Sequence, residues 1–140
     1  MYARRLKLFF DGGCRPNPGT MEVAVFARNV IYHVPDIGRG TNSDAEWLAL
    51  IHALKVARSL GESDIELIGD SALVVHQAKG EWKCRGPELQ AHLADYKALA
   101  GAFAQIRIRH VGRSHNLAGI ALEGIRAGLA MNHRLSDVVL

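Results

Sequence analysis

The sequence has few cysteines and no long apolar run, and these absences exclude several classes of protein. Two cysteines in 140 residues, Cys14 and Cys84, are too few for a disulfide framework or a cysteine zinc cluster. We therefore expect reduced thiols in a cytoplasmic protein. No apolar run approaches the roughly 18 residues of a membrane-spanning helix. Asp11 also interrupts the only N-terminal stretch that could serve as a signal peptide, so we expect neither a leader nor a membrane partner.

The excess of positive charge is small. A formal net charge of +3 is compatible with a polyanionic partner but does not establish one. With 49% hydrophobic and 22% charged residues, the composition is that of a globular protein. We expect a single domain over residues 1–130 and a C-terminal tail over residues 131–140, where the helical pattern is lost. No feature indicates a protein partner, so we expect a monomer.

The alternation of apolar patterns and turn residues predicts a mixed α/β fold. Strands are predicted over 5–12, 22–28, 30–35, 64–69 and 105–111. Helices are predicted over 43–60, 71–79, 86–103 and about 115–130. Glycines and prolines predict an irregular loop after the first strand. The order βββαβααβα places the first, fourth and fifth strands parallel and the second and third antiparallel, in a five-stranded mixed sheet with helices on both faces.

Two acidic residues follow apolar strands, and a third lies in the first turn of a predicted helix. Asp11 and Asp70 end their strands, and Glu46 begins the intervening helix. Ligands collect at the carboxyl ends of parallel strands in open α/β sheets, and the helix acid can lean over the same edge. Converging carboxylates repel one another unless they share a cation. Hard oxygen ligands favour Mg²⁺ or Mn²⁺ over zinc, so the pattern favours a divalent metal site of the kind that supports phosphodiester hydrolysis.

Each of these acids also has an ordinary structural explanation. An Asp that follows a strand is often a turn or N-cap residue. Glu46 lies three residues after Ser43, which is the spacing of a capping box. From these residues alone, a metal site and a plain α/β domain with fortuitous acids both stay open.

Short motifs surround these acids and follow one another along the chain in a definite order. They are Phe10-Asp11-Gly12-Gly13 with Asn17-Pro18-Gly19, Arg39-Gly40-Thr41-Asn42 with Ala45-Glu46, Gly69-Asp70-Ser71 with Val74-Val75, and His110-Val111 with Arg113 and Asn116. In this order and spacing, over roughly residues 6–127, the chain resembles type 1 ribonuclease H and the related reverse-transcriptase-like nucleases. The resemblance implies a ribonuclease H-like fold. It also implies a metal-dependent endonuclease that hydrolyses the RNA strand of RNA–DNA hybrids and leaves 5′-phosphate products.

The resemblance assigns roles to individual residues. It implies that Asp11, Glu46 and Asp70 are catalytic carboxylates that bind Mg²⁺ or Mn²⁺. It implies that His110 assists proton handling or product release, although a strand-end histidine with a structural hydrogen bond is the alternative. Contacts to the substrate are implied for Cys14, Asn17, Arg39, Thr41, Asn42 and Gln77. A hydroxyl, a guanidinium and helix N-terminal amides suit a phosphate, and a contact in the minor groove can sense the 2′-hydroxyl of RNA.

One position departs from the family pattern. The family's final helix usually carries an Asp four residues after the Asn that matches Asn116, and this chain has Ile120 there. Three replacements for the missing ligand stay open: Asn116, Glu123 or a shift in the helix register. If none of them serves, the chain is a weakened or inactive ribonuclease H-like module that binds RNA–DNA hybrid or double-stranded RNA.

The segment between the second and third predicted helices is short. It reads Gly-Glu-Trp-Lys-Cys-Arg-Gly over residues 80–86, so we expect no basic protrusion of the kind that larger bacterial family members carry. Trp82 has two interpretations, as a residue that fills the core or as part of a small basic contact with Lys83 and Arg85.

Overall fold

The sheet contains the five strands expected from the sequence and two very short additional ones. The computed structural model describes residues 5–128 and the backbone of residues 134–135. The strands are β1 (Leu6–Arg15), β2 (Gly19–Ala27), β3 (Val30–Val34), β4 (Arg39–Gly40), β5 (Asp64–Gly69), β6 (Gln105–His110) and β7 (Arg134–Leu135). Strands β4 and β7 have two residues each, too few to leave an apolar pattern in the sequence.

Four helices accompany the sheet. They are α1 (Asn42–Ser59), α2 (Ala72–Ala78), α3 (Pro87–Ala100) and α4 (Leu117–Arg126), with a 3₁₀ turn at Arg113–His115. None of these helices, over the described residues, is both long and apolar enough to cross a lipid bilayer. Apart from the short strands β4 and β7, the predicted order of strands and helices is therefore confirmed.

The strand order explains how distant parts of the sequence meet at one edge. Across the sheet it is β6-β5-β1-β2-β3-β7, and β4 pairs with β2. Strands β1, β5 and β6 are parallel, and β2 is antiparallel to both β1 and β3, as predicted. The expected tail over 131–140 lies outside the described residues except at Arg134–Leu135, whose backbone pairs with β3. The division into a domain over 1–130 and a tail stays a prediction.

Helices cover both faces of the sheet, as predicted. Alternate residues of a strand point to opposite faces, so Phe10 packs with α1, α2 and α3 while Phe9 packs toward α4. The larger cluster is centred on Trp47, which is fully buried and donates its indole N–H to Gln77 Oε1 at 3.1 Å. Burial of the apolar face of α1 therefore fixes that helix against β1 and β2.

Two local details differ from the prediction. Strand β1 continues through the two glycines to Arg15, where an irregular loop was expected, because β2 pairs with it as far as Thr20. Helix α1 is capped by Thr41 and Asp44, not by Ser43 and Glu46. The capping box therefore leaves the carboxylate of Glu46 free for another role.

One buried polar side chain has an unsatisfied nitrogen. His52 of α1 is fully buried, its Nε2 lies 3.3 Å from the Tyr32 carbonyl oxygen, and its Nδ1 has no hydrogen-bond partner among the described residues. Burial lowers the pKa of His52 from 6.5 to about 4, because an imidazolium would lose its hydration there. The neutral ring therefore contributes stability above pH 6.5, and this contribution is lost as the pH falls toward 4.

Replacing His52 should remove this acid sensitivity. Between pH 7 and pH 5 we expect the wild type to lose about 2 kcal/mol more of its free energy of unfolding than His52→Leu does. Urea unfolding at both pH values measures the difference. His115→Leu, which changes an exposed histidine, is the control and should follow the wild type. A difference between wild type and His52→Leu that does not change with pH would contradict the assignment.

Candidate metal centre and nucleic-acid interface

Asp11 and Asp70 meet because of the register between β1 and β5. The last paired residues of these strands are Phe9 and Ile68. Each acid lies two residues further on, so both side chains point to the same face at the carboxyl edge of the sheet. Asp11 remains within a strand because β2 continues to pair with it.

Glu46 joins the two aspartates because α1 packs directly on the backbone of β1. A Cβ atom at Gly12 would lie 2.2 Å from the carbonyl oxygen of Ala45, so a larger residue would push the helix away. The N–H of Gly12 donates to Glu46 Oε1 at 2.7 Å. Gly12 thus both admits the helix and orients its acid.

The three carboxylates form a compact group with uncompensated charge. One oxygen atom from each of Asp11, Glu46 and Asp70 lies within 4.8 Å of the other two. Burial, with a further effect from the charge of Asp70, raises the pKa of Asp11 to about 7. Burial and the charge of Asp11 raise the pKa of Glu46 well above its usual value, although the Gly12 N–H opposes this. A half-buried group that offers only oxygen ligands fits a hard divalent cation such as Mg²⁺ or Mn²⁺.

Asn116 supports the acidic group from the start of α4. Its side chain is fully buried, and Nδ2 donates to the Phe10 carbonyl oxygen and to Asp70 Oδ2, each at 2.9 Å. Its Oδ1 accepts from the Ala118 N–H at 3.1 Å and so caps the helix. Because both ends of the amide are engaged, Asn116 positions Asp70; its use as a substitute metal ligand stays a prediction.

The first turn of α4 lies against the two aspartates. A Cβ atom at Gly119 would lie 3.4 Å from Asp11 Oδ2 and 3.7 Å from Asp70 Oδ2. The partial positive charge of the helix N-terminus therefore faces these carboxylates. The next residue, Ile120, lines the same pocket with 48% of its surface exposed. The apolar side chain thus occupies the pocket wall where the family pattern has an acid.

The acids open into a pocket of about 500 Å³. Its wall includes the exposed carboxylate-bearing residue Glu123 and three arginines, Arg15, Arg113 and Arg126. Glu123 does not belong to the group of acids that lie within 4.8 Å of one another among the described residues. Glu123, like Asn116 and a shift in the helix register, stays a prediction for the fourth ligand.

A hydrogen-bonded cluster holds the predicted substrate contacts beside this pocket. The Cys14 N–H donates to Asn42 Oδ1 at 3.0 Å, and the Asn42 N–H donates to Asn17 Oδ1 at 3.1 Å. The cluster therefore joins the end of β1, the following turn and the N-terminus of α1. Cys14 and Asn42 line the pocket.

Arg39 and Thr41 lie on the strand and cap that lead into α1. Arg39 is exposed in β4, opposite Thr20. The Thr41 hydroxyl donates to Asp44 Oδ2 at 2.9 Å and accepts from the Asp44 N–H at 3.2 Å, while His92 of α3 lies 2.9 Å from the other oxygen of Asp44. The N-cap role of Thr41 is thus observed, and a phosphate at the same helix N-terminus is compatible with it.

Two predicted site residues lie apart from the pocket. Gln77 is 4% exposed, accepts from Trp47 Nε1 and donates to the Lys83 carbonyl oxygen at 3.2 Å, so it is engaged in the core, and its role as a substrate contact stays a prediction. His110 is exposed, and its Nε2 lies 3.2 Å from the Asp70 carbonyl oxygen. Its ring is therefore adjacent to the backbone of a metal-site residue but does not line the pocket.

Trp82 lies on the surface. It is 48% exposed and its ring stacks on His76 with a centroid distance of 4.4 Å. The interpretation of Trp82 as a residue that fills the core is therefore wrong.

The sequence assigns no role to the three arginines of the pocket, and two of them act on Asp11. Arg126 and Arg113 both act to lower the pKa of Asp11, against the effects of burial and Asp70. Arg113 belongs to a family motif, so its presence near the acids could have been expected. Arg126 lies outside the motifs, and no sequence signal identified it.

The sequence profile described as reverse transcriptase-like matches residues 10–122, which is most of the chain. The chain belongs to this family, and within it to type 1 ribonuclease H. The family that the order of motifs predicted is therefore confirmed.

Two proteins are similar to this chain in sequence. A ribonuclease HI from Halobacterium salinarum is 38% identical over 123 residues, which are 84% of this chain and 62% of that protein. The bifunctional protein Rv2228c from Mycobacterium tuberculosis is 36% identical over 112 residues, which are 76% of this chain and 31% of that protein. The chain thus spans about three fifths of the first relative and under a third of the second.

Solved ribonuclease H1 structures share the fold. The crystal structure of ribonuclease H1 from Halobacterium salinarum matches with a TM-score of 0.80 and 35% identity, covering 89% of this chain and 99% of the other. LC11-ribonuclease H1, solved in complex with an RNA/DNA hybrid, matches with a TM-score of 0.78 and 27% identity, covering 90% and 100%.

Neutralising Asp11 should stabilise the metal-free protein at alkaline pH. The folded pKa of Asp11 is raised above its value of 3.8, so stability present at low pH is lost as the pH rises through about 7. We expect Asp11→Asn to gain roughly 1–3 kcal/mol in free energy of unfolding at pH 8 without divalent ions, and less at pH 5. Addition of Mg²⁺ or Mn²⁺ should then stabilise the wild type more than the variant.

Asp95→Asn is the control, because Asp95 is an exposed acid of α3. Its stability should change little with pH or metal. Destabilisation by Asp11→Asn at pH 8 in the absence of metal would contradict the interpretation of the acidic group.

Proposed function

We propose that this chain is a metal-dependent endonuclease that hydrolyses the RNA strand of RNA–DNA hybrids and leaves 5′-phosphate products. The observation that carries the proposal is the convergence of Asp11, Glu46 and Asp70 in an open pocket. Membership of the type 1 ribonuclease H family supports it. So does the hybrid-bound structure of a related ribonuclease H1.

The proposed cofactor is Mg²⁺ or Mn²⁺, held by Asp11, Glu46 and Asp70. Such an ion activates a water molecule and stabilises the leaving oxygen in phosphodiester hydrolysis. The chain's own contribution is orientation: the Gly12 N–H fixes Glu46, and the Asn116 amide fixes Asp70. The oxygen atoms are thus preorganised before a cation arrives.

The proposed substrate contacts lie on both sides of α1's N-terminus. Cys14 and Asn42 line the pocket and Asn17 accepts a hydrogen bond from the Asn42 N–H, so the minor groove of a hybrid at this place would present the 2′-hydroxyls of RNA to them. Arg39 and Thr41, with the amides at the start of α1, suit a phosphate of the DNA strand.

His110 is proposed as an auxiliary residue. It lies one hydrogen bond from the backbone of Asp70 and is exposed to solvent. From this position it can exchange protons with departing product rather than bind the ion. The structural alternative, a hydrogen bond that only fixes the end of β6, predicts no pH effect from His110→Gln.

We also propose that the protein acts as a monomer in the cytoplasm. The free thiols of Cys14 and Cys84 support a reducing compartment.

Cleavage of defined substrates tests the proposed activity. With Mg²⁺ or Mn²⁺, the wild type should cut the labelled RNA strand of a hybrid and leave single-stranded RNA and duplex DNA intact. Asp70→Asn and Glu46→Gln should each lower the rate by about 10²–10⁴-fold, since each removes a charge on which the ion depends. Asp95→Asn should behave like the wild type. A wild-type protein that binds the hybrid and leaves it intact with both ions would rule the activity out.

A second candidate function rests on Ile120. The described acids near the pocket include three close carboxylates, and Ile120 contributes no fourth. The chain would then be a catalytically weakened module that binds RNA–DNA hybrid or double-stranded RNA.

Substitution at position 120 separates the two functions. If the wild-type site is weakened, Ile120→Asp should raise the cleavage rate by about 10-fold or more, and Ile120→Asn, which adds no charge, should not. If Glu123 already serves as the fourth ligand, Ile120→Asp should bring no gain and Glu123→Gln should lower the rate. Steady-state cleavage of the same hybrid measures both.

A further inference from the structure

One wall of the pocket carries the guanidinium group of an arginine, and neighbouring side chains hold this group in place. Arg126, the last residue of α4, donates from Nε to Glu22 Oε1. The second oxygen of Glu22 lies 3.0 Å from His33 Nε2. Glu22 belongs to β2 and His33 to β3, so this row of three side chains crosses the α4 face of the sheet toward the acids.

The guanidinium of Arg126 lies over a part of β1 that has no side chain, because the residue there is a glycine. Glu22 is paired with Gly13, and a Cβ atom at Gly13 would lie 3.2 Å from an Nη atom of Arg126. Gly13 follows Asp11 by two residues, so the two positions share a face and lie about 7 Å apart along the strand. The cation is thus placed beside the acidic group without touching it.

Most of the donors of Arg126 are available. Within residues 5–128, its Nε makes a hydrogen bond and its Nη groups make none, while 21% of the side chain is exposed. Glu123 lies one helical turn earlier but forms no ion pair with Arg126 among the described residues. Because Ile120 carries no charge, it does not compete for these donors either. A planar guanidinium with free N–H groups matches the oxygens of a phosphate.

Glu22 keeps the guanidinium oriented. Burial acts to raise the pKa of Glu22, but hydrogen bonds from His33 and Arg126 outweigh it and hold the pKa below its usual value. These hydrogen bonds therefore favour the charged form of Glu22. With its Nε held, Arg126 has less side-chain entropy to lose when it binds a ligand.

We propose that Arg126 binds a phosphate of the nucleic-acid strand that lies across the acidic group, with Glu22 as its positioning residue. This inference rests on the proposed function, since it takes nucleic acid as the ligand. Arg126 would supply fixed positive charge on the side of the pocket where Ile120 leaves no acid.

Metal-free binding tests the contact separately from cleavage. The affinity of the full chain for a fluorescent RNA–DNA hybrid is measured by anisotropy in EDTA over a series of salt concentrations. Loss of one phosphate contact should weaken binding by Arg126→Ala about 5–20-fold at low salt and reduce the slope of log Kd against log salt by about 0.7–0.9.

Arg5→Ala is the matched control. Arg5 also holds a carboxylate through Nε, at 2.8 Å from Asp64 Oδ1, and 27% of its side chain is exposed. It precedes β1, at the end of the sheet opposite to Asp11. Arg5→Ala removes the same charge and the same kind of ion pair, and should leave the affinity and the salt slope near those of the wild type.

Two conservative variants keep the test decisive if Arg126→Ala folds poorly. Arg126→Lys should retain most of the salt slope, because it retains the charge. Glu22→Gln should weaken binding while preserving the slope, because the cation remains but is no longer oriented. If Arg126 only stabilises the fold, Arg126→Ala and Glu22→Gln will lower the free energy of unfolding alike while hybrid affinity and slope stay at the Arg5→Ala values, and the proposal is overturned.

These binding measurements, taken together with the cleavage assay described above, separate this inference from the proposed activity. A wild type that binds the hybrid with an Arg126-dependent slope but never cleaves it would overturn the endonuclease and support the phosphate contact. A wild type that cleaves the hybrid, together with a salt slope of binding that Arg126→Ala does not change, would support the endonuclease and overturn the phosphate contact. Absence of hybrid binding by the wild type would overturn both.

Discussion

The site depends on one close contact between helix α1 and strand β1. At Gly12 the helix backbone approaches so closely that even a methyl group would meet the Ala45 carbonyl oxygen at 2.2 Å. This approach brings Glu46 within hydrogen-bond distance of the Gly12 N–H. It also brings Asn42 to the backbone of Cys14. A displaced helix would lose the third acid and one wall of the pocket together, so the missing side chain at Gly12 is a condition for both metal binding and substrate contact.

The second constraint is electrostatic and comes from packing acids together. Burial and mutual repulsion raise the pKa of Asp11 and of Glu46, so the apoprotein holds them at a cost in stability. The fold offsets part of this cost through the N-terminus of α4 and the Asn116 amide. These groups are dipoles and carry no net charge, so they do not neutralise the acids. A divalent cation and the nearby arginines can neutralise the acids. The acidic group therefore destabilises the fold and favours the binding of a cation.

Much of the fold could be predicted from the sequence because it follows from periodicity. Apolar runs gave the strands, and the alternation of strands with helices gave the parallel register that unites Asp11 and Asp70. Side-chain orientation was less predictable, since it depends on contacts between distant residues. Gln77 was expected to contact the substrate, but the indole N–H of Trp47 engages it in the core. Asn116 was considered as a ligand, but its amide is divided between a helix cap and Asp70. Arg126 has no motif at all, because its position depends on pairing with Glu22 of a different strand.

The same constraints explain what the change at position 120 does to the charge of the site. Three carboxylates carry one more negative charge than a single divalent ion neutralises. In a site with four acids, a second divalent ion would complete the balance. Here the fourth acid is replaced by Ile120, and three arginines, Arg15, Arg113 and Arg126, line the same pocket, although the ion pair with Glu22 offsets the charge of Arg126. A guanidinium is held by the fold and is present at every metal concentration, whereas a second ion must be recruited. The change at position 120 therefore removes negative charge from a pocket whose wall carries guanidinium groups, and it shifts the balance there toward binding a phosphate.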